Sequence, residues 1–201
     1  MTIIEQRFIQ PGVTTRQRWS NYFAVLLGVI AVVTLLNLRA SIVTATVVYR
    51  NDAEGIVATY PQNWLIDENG GVDYIFRVRN MQEVGFKTTF RVSAIPTSTD
   101  TARRTVLDAL AMERAQTFSN YRILSVEPYT GLGETEASIA SYQYIATDQN
   151  PFQQSLPAVV QGVDVLVLSR EQAIVITMLS DAASFEENFV LFERFLTDLE
   201  F

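Results

Sequence analysis

The strongest constraint on this chain is a run of 20 residues without a charge, from Trp19 to Leu38. At 1.5 Å per residue, a helix of that length spans roughly 30 Å, the thickness of the hydrocarbon core of a bilayer. Trp19, Tyr22 and Phe23 stand at one end of the run, where aromatic rings favour the membrane interface. The run therefore predicts a transmembrane helix over residues 19–38.

Two other interpretations fit an apolar run of this kind, a buried core helix and a cleaved signal peptide. Arginines flank the run at Arg16, Arg18 and Arg39, which is rare for helices buried in soluble cores. A signal peptide has an apolar region of about 7–15 residues, followed by a small-residue cleavage site. This run is longer, and Leu38-Arg39-Ala40 is a poor cleavage site, so we expect the helix to be retained as an anchor.

Charge is distributed unevenly along the chain. Residues 1–50 contain five arginines and one glutamate, a balance of +4, and the whole chain carries −7, so residues 51–201 carry −11. Arginines before the span favour a cytoplasmic N-terminus. The sequence thus predicts a single-pass protein of a bacterial inner membrane, with a cytoplasmic tail (1–18), the helix, a stalk (39–54) and a periplasmic or extracellular domain (55–201).

The charge and composition of this outer domain narrow its chemistry. An excess of negative charge repels nucleic acid and anionic head groups, so we expect no nucleic-acid partner. The chain has neither cysteine nor histidine. It therefore lacks the residues of disulfides, cysteine nucleophiles and iron–sulfur clusters, and also the commonest general base and ligand of zinc and haem. We expect a protein that is not an enzyme and holds no cofactor or metal.

Beyond the stalk, the spacing of apolar residues predicts strands interrupted by two helices. The helices fall within 98–118 and 184–201, and the strands fall at 56–60, 64–67, 72–80, 84–95, 121–129, 134–147, 157–169 and 172–180. This order predicts the α+β class, with a mostly antiparallel sheet and both helices packed on one face. The polar segment 148–157 is expected to be an exposed loop.

Both predicted helices have start signals. Thr99 or Asp100 is expected to cap the first helix, and Ser184 with Glu187 has the spacing of a capping box for the second. Apolar faces follow from the periodicity. They consist of Val106, Leu107, Leu110 and Ala111 in the first helix, Phe185, Phe189, Phe192 and Leu196 in the second, and Phe86, Thr88, Phe90 and Val92 in the strand at 84–95.

The opening of the outer domain, GIVATYPQNWLID (55–67), contains an aromatic-Pro-x-x-Trp element formed by Tyr60, Pro61 and Trp64. With its central helix, late hairpin and C-terminal amphipathic helix, the region 55–201 resembles the PsbP-like family of extracytoplasmic domains. The resemblance implies an αβα-type fold with an antiparallel sheet. It also implies a role in assembling or stabilising membrane complexes, notably photosynthetic ones. Metal roles attributed to histidines in that family do not carry over, because this chain has none.

Within the predicted span, Ala24, Gly28 and Ala31 fall on one side of the helix. Small residues at this spacing let a second helix approach closely in a membrane. Glycine and alanine are also common in such spans without any packing role. We identify the three residues as a candidate surface for helix packing.

Four side chains of the outer domain are candidate partner contacts. Arg103 and Arg104 lie in the first turn of a predicted helix, where the helix dipole disfavours cations, so they are either solvated or paired with an acidic partner. Tyr142 and Tyr144 share one face of a predicted strand. They form either an exposed aromatic contact surface or part of the core.

These observations predict an accessory subunit that stabilises or assembles a larger membrane complex, of the photosynthetic or respiratory electron-transfer kind. Its partners are then the lipid bilayer and other membrane subunits. An alternative is a tethered module that binds a small ligand or a cation. Glu134 and Glu136, on the same side of a strand, are candidate oxygen ligands for such a cation, although a solvated edge explains them as well. A third alternative is a hydrolase that uses carboxylates only.

Overall fold

The computed structural model describes most of the chain. The described residues are 15–43, 45–68, 70–71, 73–98, 100–133, 135–147, 157–169 and 172–201. Thr99, Glu134, most of the predicted loop at 148–157 and the two residues between the predicted strands at 157–169 and 172–180 lie outside these ranges. The chain divides into two compact units, Met1–Ala45 and Thr46–Phe201.

The first unit contains one long helix, α1 (Thr15–Val43), 29 residues in length. It includes the predicted helix at 19–38, so the prediction of a helix here is confirmed. Every large apolar side chain from Trp19 to Leu38 is at least half exposed. A helix on the surface of a soluble protein buries one stripe, whereas α1 is apolar on all sides. That it spans a membrane stays a prediction at this point.

Two polar side chains inside this apolar stretch bond to the backbone of their own helix. The Thr34 hydroxyl donates to the Ile30 carbonyl at 2.8 Å, and the Asn37 amide donates to the Val33 carbonyl at 3.0 Å. Side chains that bond in this way do not need water. Both residues are therefore compatible with an apolar environment.

The second unit begins with a strand where the sequence predicted only a stalk. Strands β1 (Thr46–Asn51) and β2 (Ile56–Pro61) form an antiparallel pair. The Tyr49 ring of β1 lies 4.4 Å from the Phe76 ring, which draws the strand onto the core. The strand pairing and this aromatic contact place residues 46–51 in the second unit, within the range predicted as a stalk (39–54).

The main sheet has seven strands, and every neighbouring pair is antiparallel. Its spatial order is β3-β4-β5-β9-β8-β7-β6. The strands are β3 (Leu65–Asp67), β4 (Phe76–Arg79), β5 (Thr89–Pro96), β6 (Ser119–Tyr129), β7 (Ala137–Ala146), β8 (Ala158–Ser169) and β9 (Gln172–Asp181), and the helices are α2 (Arg103–Thr117) and α3 (Phe185–Thr197). This confirms the predicted α+β class.

The two helices of this unit pack on opposite faces of the sheet. Val165 of β8 belongs to the apolar cluster that contains Phe192 of α3. Its neighbour Leu166 belongs to the cluster that contains Leu107 of α2. Successive residues of a strand point to opposite faces, so the prediction that both helices share one face is wrong. The resulting αβα arrangement is the one that the PsbP-like resemblance implied.

Aromatic side chains dominate the core on the α3 side. The Phe90 ring lies 4.6 Å from Trp64 and 5.3 Å from both Phe192 and Phe195. Trp64, which belongs to the element that resembles the PsbP-like family, is 6% exposed. Its structural role is therefore in this core, where large aromatic rings contribute most of the apolar area that folding buries.

Neither predicted helix cap is formed. The N-cap residue of α2 is Ala102, two residues beyond Asp100, and it makes no capping bond through a side chain. Ser184 stands at the N-cap of α3, but its hydroxyl does not cap the helix. It lies 3.3 Å from both the Ser180 hydroxyl and the Asn188 amide instead. These competing partners explain why the predicted capping box is absent.

The strands predicted at 72–80 and 84–95 are present as the shorter strands β4 and β5, which pair antiparallel. Thr88, Phe90 and Val92 are buried as predicted. Phe86 lies outside β5 and packs instead in the cluster that contains Tyr142. The reason is the loop, because the Glu83 carboxylate accepts the Thr88 amide at 2.7 Å and holds the chain out of a strand conformation.

Candidate functional site

Among the described residues, one ion pair has both side chains buried, and it joins Arg114, in the last turn of α2, to Asp164, in β8. The two side chains are 7% and 2% exposed. Arg114 Nη1 donates to Asp164 Oδ2, and Nη2 donates to Oδ1 at 2.9 Å. The Thr177 hydroxyl donates to the same Oδ1 at 2.7 Å. Bidentate pairing with a third donor satisfies the carboxylate without water.

Tyr142 covers this ion pair from the side of β7. Arg114 Cζ lies 4.6 Å from the centre of the Tyr142 ring, a cation–π distance. The ring also lies across Gly162 of the neighbouring strand, where a Cβ would come within 2.3 Å of Tyr142 Cε2. Only glycine leaves room for the ring at this position. Tyr121 contacts Tyr142 at 5.4 Å between ring centres.

The electrostatics of this cluster do not favour acid–base chemistry. Burial raises the pKa of the Tyr142 phenol, and the positive charge of Arg114 opposes that shift only in part. Burial also raises the pKa of Tyr144. Both phenols are therefore neutral at physiological pH, and the one buried carboxylate of the cluster, Asp164, is already bonded to Arg114 and Thr177. The cluster has the properties of a structural element.

Tyr142 and Tyr144, predicted as candidate partner contacts, are buried in the structure. Tyr142 is 1% exposed and Tyr144 is 6% exposed. Tyr144 stacks on Phe118 with 4.1 Å between ring centres. Core packing, the alternative that the sequence left open, is what the structure shows, and the two rings do not form an exposed contact surface. The reason is that α2 and the end of β6 cover this part of the sheet.

The two arginines at the start of α2 are paired within the chain. Arg103 Nη1 lies 2.9 Å from Glu136 Oε2, and Arg104 Nε lies 3.0 Å from Asp108 Oδ1. Exposed pairs of this kind contribute little to stability and are readily exchanged for another partner. A role of Arg103 and Arg104 in partner contact stays a prediction.

Ala24, Gly28 and Ala31 lie on one side of α1, and all three are exposed. A Cβ added at Gly28 would meet nothing within 4 Å. The small-residue strip is therefore open along the described part of the chain. Its role in helix packing stays a prediction.

The candidate cation ligands that the sequence suggested, Glu134 and Glu136, are not joined by further ligands in the described part of the structure. Glu134 lies outside the described residues, and Glu136 pairs with Arg103. Across the described ranges, no group of three or more acidic, histidine or cysteine residues is close enough to hold a metal ion. An open depression of about 330 Å³ lies near one end of β5 and β9. Its lining is Glu54, Gly71, Tyr74, Ile75, Ala94, Pro96 and Gln172.

A second polar feature lies on the face of the sheet that α2 covers, on the strands β4 and β5 near the β3 edge. Arg77 and Arg79 of β4 and Arg91 of β5 point to the face opposite the Phe76, Phe90 and Val92 core. We call these three residues the arginine face. Arg77 pairs with Asp67 at 2.5 Å and lies over the Tyr74 ring at 4.7 Å. The side-chain Nε atoms of all three arginines are buried without a hydrogen-bond partner.

Sequence reasoning missed Arg114, Asp164 and the arginine face, although signals were present. Arg114 occupies the next position of the α2 stripe after Leu107 and Leu110. Asp164 is the one charge within the otherwise uncharged β8. An arginine on a buried helical stripe and an acid inside a buried strand each require a partner, because an isolated buried charge is too costly. Reading the two together predicts the pair.

The unpartnered hydroxyl of Tyr142 leads to a stability prediction. Tyr142 Oη is buried and has no hydrogen-bond partner. Tyr142→Phe keeps the ring over Gly162 and Arg114 but removes this unsatisfied group, so we expect the free energy of unfolding to rise by about 1 kcal/mol. Urea unfolding of the detergent-solubilised chain measures the change. Tyr144→Phe is the matched control and should change little, and a clear loss of stability in Tyr142→Phe would contradict the assignment.

Comparison with known proteins identifies the fold but no family. No protein-family model matches the sequence, and no curated protein matches it either. The solution structure of cyanobacterial PsbP (CyanoP) from Synechocystis sp. PCC 6803 is similar, with a TM-score of 0.57 and 11% identity over 78% of this chain and 92% of that one. A Pseudomonas aeruginosa protein of unknown function, PA94, described as a putative regulator, gives a TM-score of 0.48 and 10% identity over 77% of this chain and 96% of that one.

Proposed function

We propose that this protein is a non-catalytic, single-span accessory subunit of a larger membrane complex in a bacterial inner membrane. Its N-terminus is cytoplasmic, and its outer unit, Thr46–Phe201, has a PsbP-like fold and lies in the periplasm or outside the cell. There it docks on or stabilises a complex of the photosynthetic or respiratory electron-transfer kind. The membrane span is inferred from the physical properties of α1, and the docking role is inferred from the fold.

The observation that carries the proposal is the bare apolar surface of α1. From Trp19 to Leu38 the helix is long and apolar enough to cross a membrane, and none of this stretch is buried. Soluble proteins rarely expose a continuous apolar surface of this extent, because each buried square ångström is worth roughly 25 cal/mol. A bilayer covers such a surface completely. Arg16 before the span supports a cytoplasmic N-terminus.

The fold supports the accessory role. The outer unit shares its αβα arrangement with cyanobacterial PsbP, and the family resemblance carried by Tyr60, Pro61 and Trp64 implies work on membrane complexes. Fold alone does not fix function, so the role is inferred by analogy. The buried ion pair supports it too, because Arg114 and Asp164 bond to each other, as expected of a structural element.

An accessory subunit anchored by one helix should pack that helix against another. Lipid is as apolar as leucine, so association in the membrane depends on close packing. Gly28→Leu keeps the length and apolar character of α1, and we expect insertion to be unchanged. The added side chain separates the neighbouring helix and removes van der Waals contacts, so recovery of the protein in its high-molecular-mass complex, in mild detergent, should fall severalfold.

The control for this variant is Val33→Phe, which adds bulk on another side of α1. It should leave recovery of the complex unchanged. If Gly28→Leu is recovered as well as the natural chain, α1 faces only lipid and the helix-packing role of Ala24, Gly28 and Ala31 is wrong. Migration of the natural chain as a monomer, in membranes that retain their other complexes, would overturn the accessory role itself.

A further inference from the structure

We propose that the arginine face, formed by Arg77, Arg79 and Arg91, is the surface on which the outer unit docks an acidic segment of a partner protein. The inference rests on the proposed accessory role and names the chemistry of the partner. Three observations support it: the placement of the arginines in the sheet, the lack of a carboxylate partner for Arg79 and Arg91 within the described ranges, and the charge of the domain around them.

The sheet register brings the three cations together. Arg77 of β4 is directly opposite Arg91 of β5, and Arg79 follows Arg77 by two residues on the same face. Side chains directly opposite each other start about 4.5–5.5 Å apart, and residues two apart on one strand start roughly 6.6 Å apart. Three guanidinium groups are thus presented within the reach of one short segment.

This arrangement is costly for the isolated chain. Like charges directly opposite on neighbouring strands are destabilising, and Arg77 and Arg91 are such a pair. Burial, followed by the nearby charge of Arg114, lowers the pKa of Arg91, and Tyr142 and Asp73 oppose this shift only in part. An anion placed over the face would offset this repulsion between the guanidinium groups.

Among the described residues, only one of the three arginines has a carboxylate partner. Arg77 pairs with Asp67, whereas no carboxylate oxygen of the described ranges lies within 4.0 Å of Arg79 or Arg91. By contrast, Arg103, Arg104 and Arg114 all have a carboxylate partner. The arginine face is therefore a local excess of positive charge.

The position of the face in the sheet keeps it accessible. Helix α2 packs against β6 and β8, whereas β4 is separated from β8 by β5 and β9. The outer neighbour of β4 is the three-residue strand β3. The Arg77 side chain is 30% exposed. A partner can therefore reach Arg77 without displacing an element of the fold, and Arg79 and Arg91 lie half-buried beside it.

The chemistry of the face favours an acidic protein segment over other anions. Residues 51–201 carry −11, which repels extended polyanions such as nucleic acid and anionic membrane surfaces. None of the three arginines lines the 330 Å³ depression or the 60 Å³ cavity beneath α2, so the face is not an enclosed small-ligand site. In an extended segment, every second side chain lies on one side, about 6.6 Å apart, which matches Arg77 and Arg79. Guanidinium groups bind carboxylates in a bidentate manner.

The test measures binding of a short end-blocked peptide of alternating glutamate and serine to the full chain in a non-ionic detergent. The matched probe has glutamine in place of each glutamate. We expect the natural chain to bind the glutamate peptide at least about tenfold more tightly, and to lose this preference as salt is raised. Equal binding of the two peptides would overturn the proposal.

Two double variants locate the site. Arg79→Gln with Arg91→Gln should weaken binding of the glutamate peptide about tenfold or more, because both uncompensated cations are removed. Arg122→Gln with Arg194→Gln changes the net charge equally at two exposed positions away from the face, and it should stay within about twofold of the natural chain. Equal loss in both variants would mean that only the net charge matters, and would overturn the assignment.

Two further measurements distinguish a docking role from other outcomes. Thermal unfolding of Arg79→Gln with Arg91→Gln should give an unchanged or higher Tm, because like-charge repulsion falls. Arg79→Lys with Arg91→Lys keeps both charges and should keep part of the peptide binding.

Vesicles that contain phosphatidylglycerol should compete poorly with the glutamate peptide, and so should inorganic phosphate. Strong competition by either would replace the protein partner with a phosphate ligand. The peptide assay needs neither the membrane nor the complex, so its result is independent of whether the accessory role holds.

Discussion

A chain that carries Leu27→Arg and Val32→Arg should no longer insert in the membrane. Both residues lie in the central part of α1 and are more than half exposed, so each new charge would face lipid. An arginine at the centre of a span costs about 2.5–3.5 kcal/mol on insertion scales, and two together cost roughly 5–7 kcal/mol. Fractionation with a carbonate wash measures the effect, and the variant should appear in the soluble fraction or be degraded.

The control replaces the same positions by Leu27→Val and Val32→Leu, which keeps the helix apolar and should leave the protein in the membrane. In the natural chain, protease added to intact spheroplasts should remove the outer unit and spare the N-terminal tail. Retention of the arginine variant after the carbonate wash would mean that α1 does not span the bilayer. Protection of the outer unit from protease would reverse the proposed orientation.

Removing either partner of the buried ion pair should destabilise the outer unit by about 3–5 kcal/mol, because the charge left behind is buried and unpaired. The variants are Arg114→Met and Asp164→Leu, both of which keep side-chain volume near β8. In the double variant no charge is left, so its cost should be less than the sum of the single costs by about 1–3 kcal/mol. Urea unfolding, followed by near-ultraviolet circular dichroism, measures these free energies.

The exposed pair between Arg104 and Asp108 provides the control for the buried one. Arg104→Ala should change the free energy of unfolding by no more than about 0.5 kcal/mol, because an exposed helical pair is screened by water. Strictly additive costs for Arg114→Met and Asp164→Leu would show that the two side chains do not stabilise each other, and would contradict the structural role assigned to them.

Local sequence patterns predicted the elements of this protein well, because helix and strand formation depend on residues close together in the chain. The uncharged run from Trp19 to Leu38 predicted a helix, which the structure contains. The predicted stripe of Phe185, Phe189, Phe192 and Leu196 lies on the buried side of α3, with Phe189 only partly buried. Caps were less predictable, because Ser184 had tertiary partners in Ser180 and Asn188 that compete with the helix N-terminus for its hydroxyl.

The sequence also indicates that the sheet is covered on both faces, although the spacing of apolar residues alone did not predict this. The segments GVDVLVL of β8 and AIVITM of β9 are almost continuously apolar, and the structure buries them on both faces. A strand covered on one side only would alternate between apolar and polar residues. These runs indicate two covering layers, although they do not say which helix covers which face.

By itself, the sequence determined the anchor-like helix, the α+β class, the approximate strand positions and the acidic character of the outer domain, all of which follow from composition and short-range spacing. Only the tertiary structure decided that β9 lies between β5 and β8, that α2 and α3 take opposite faces, and that Arg114 meets Asp164, 50 residues further along the chain. It also decided that Arg77 and Arg91 are directly opposite each other on the neighbouring strands β4 and β5. The physical reason is that periodicity fixes which side of an element is buried, whereas the contacts between distant elements depend on how all of them pack together.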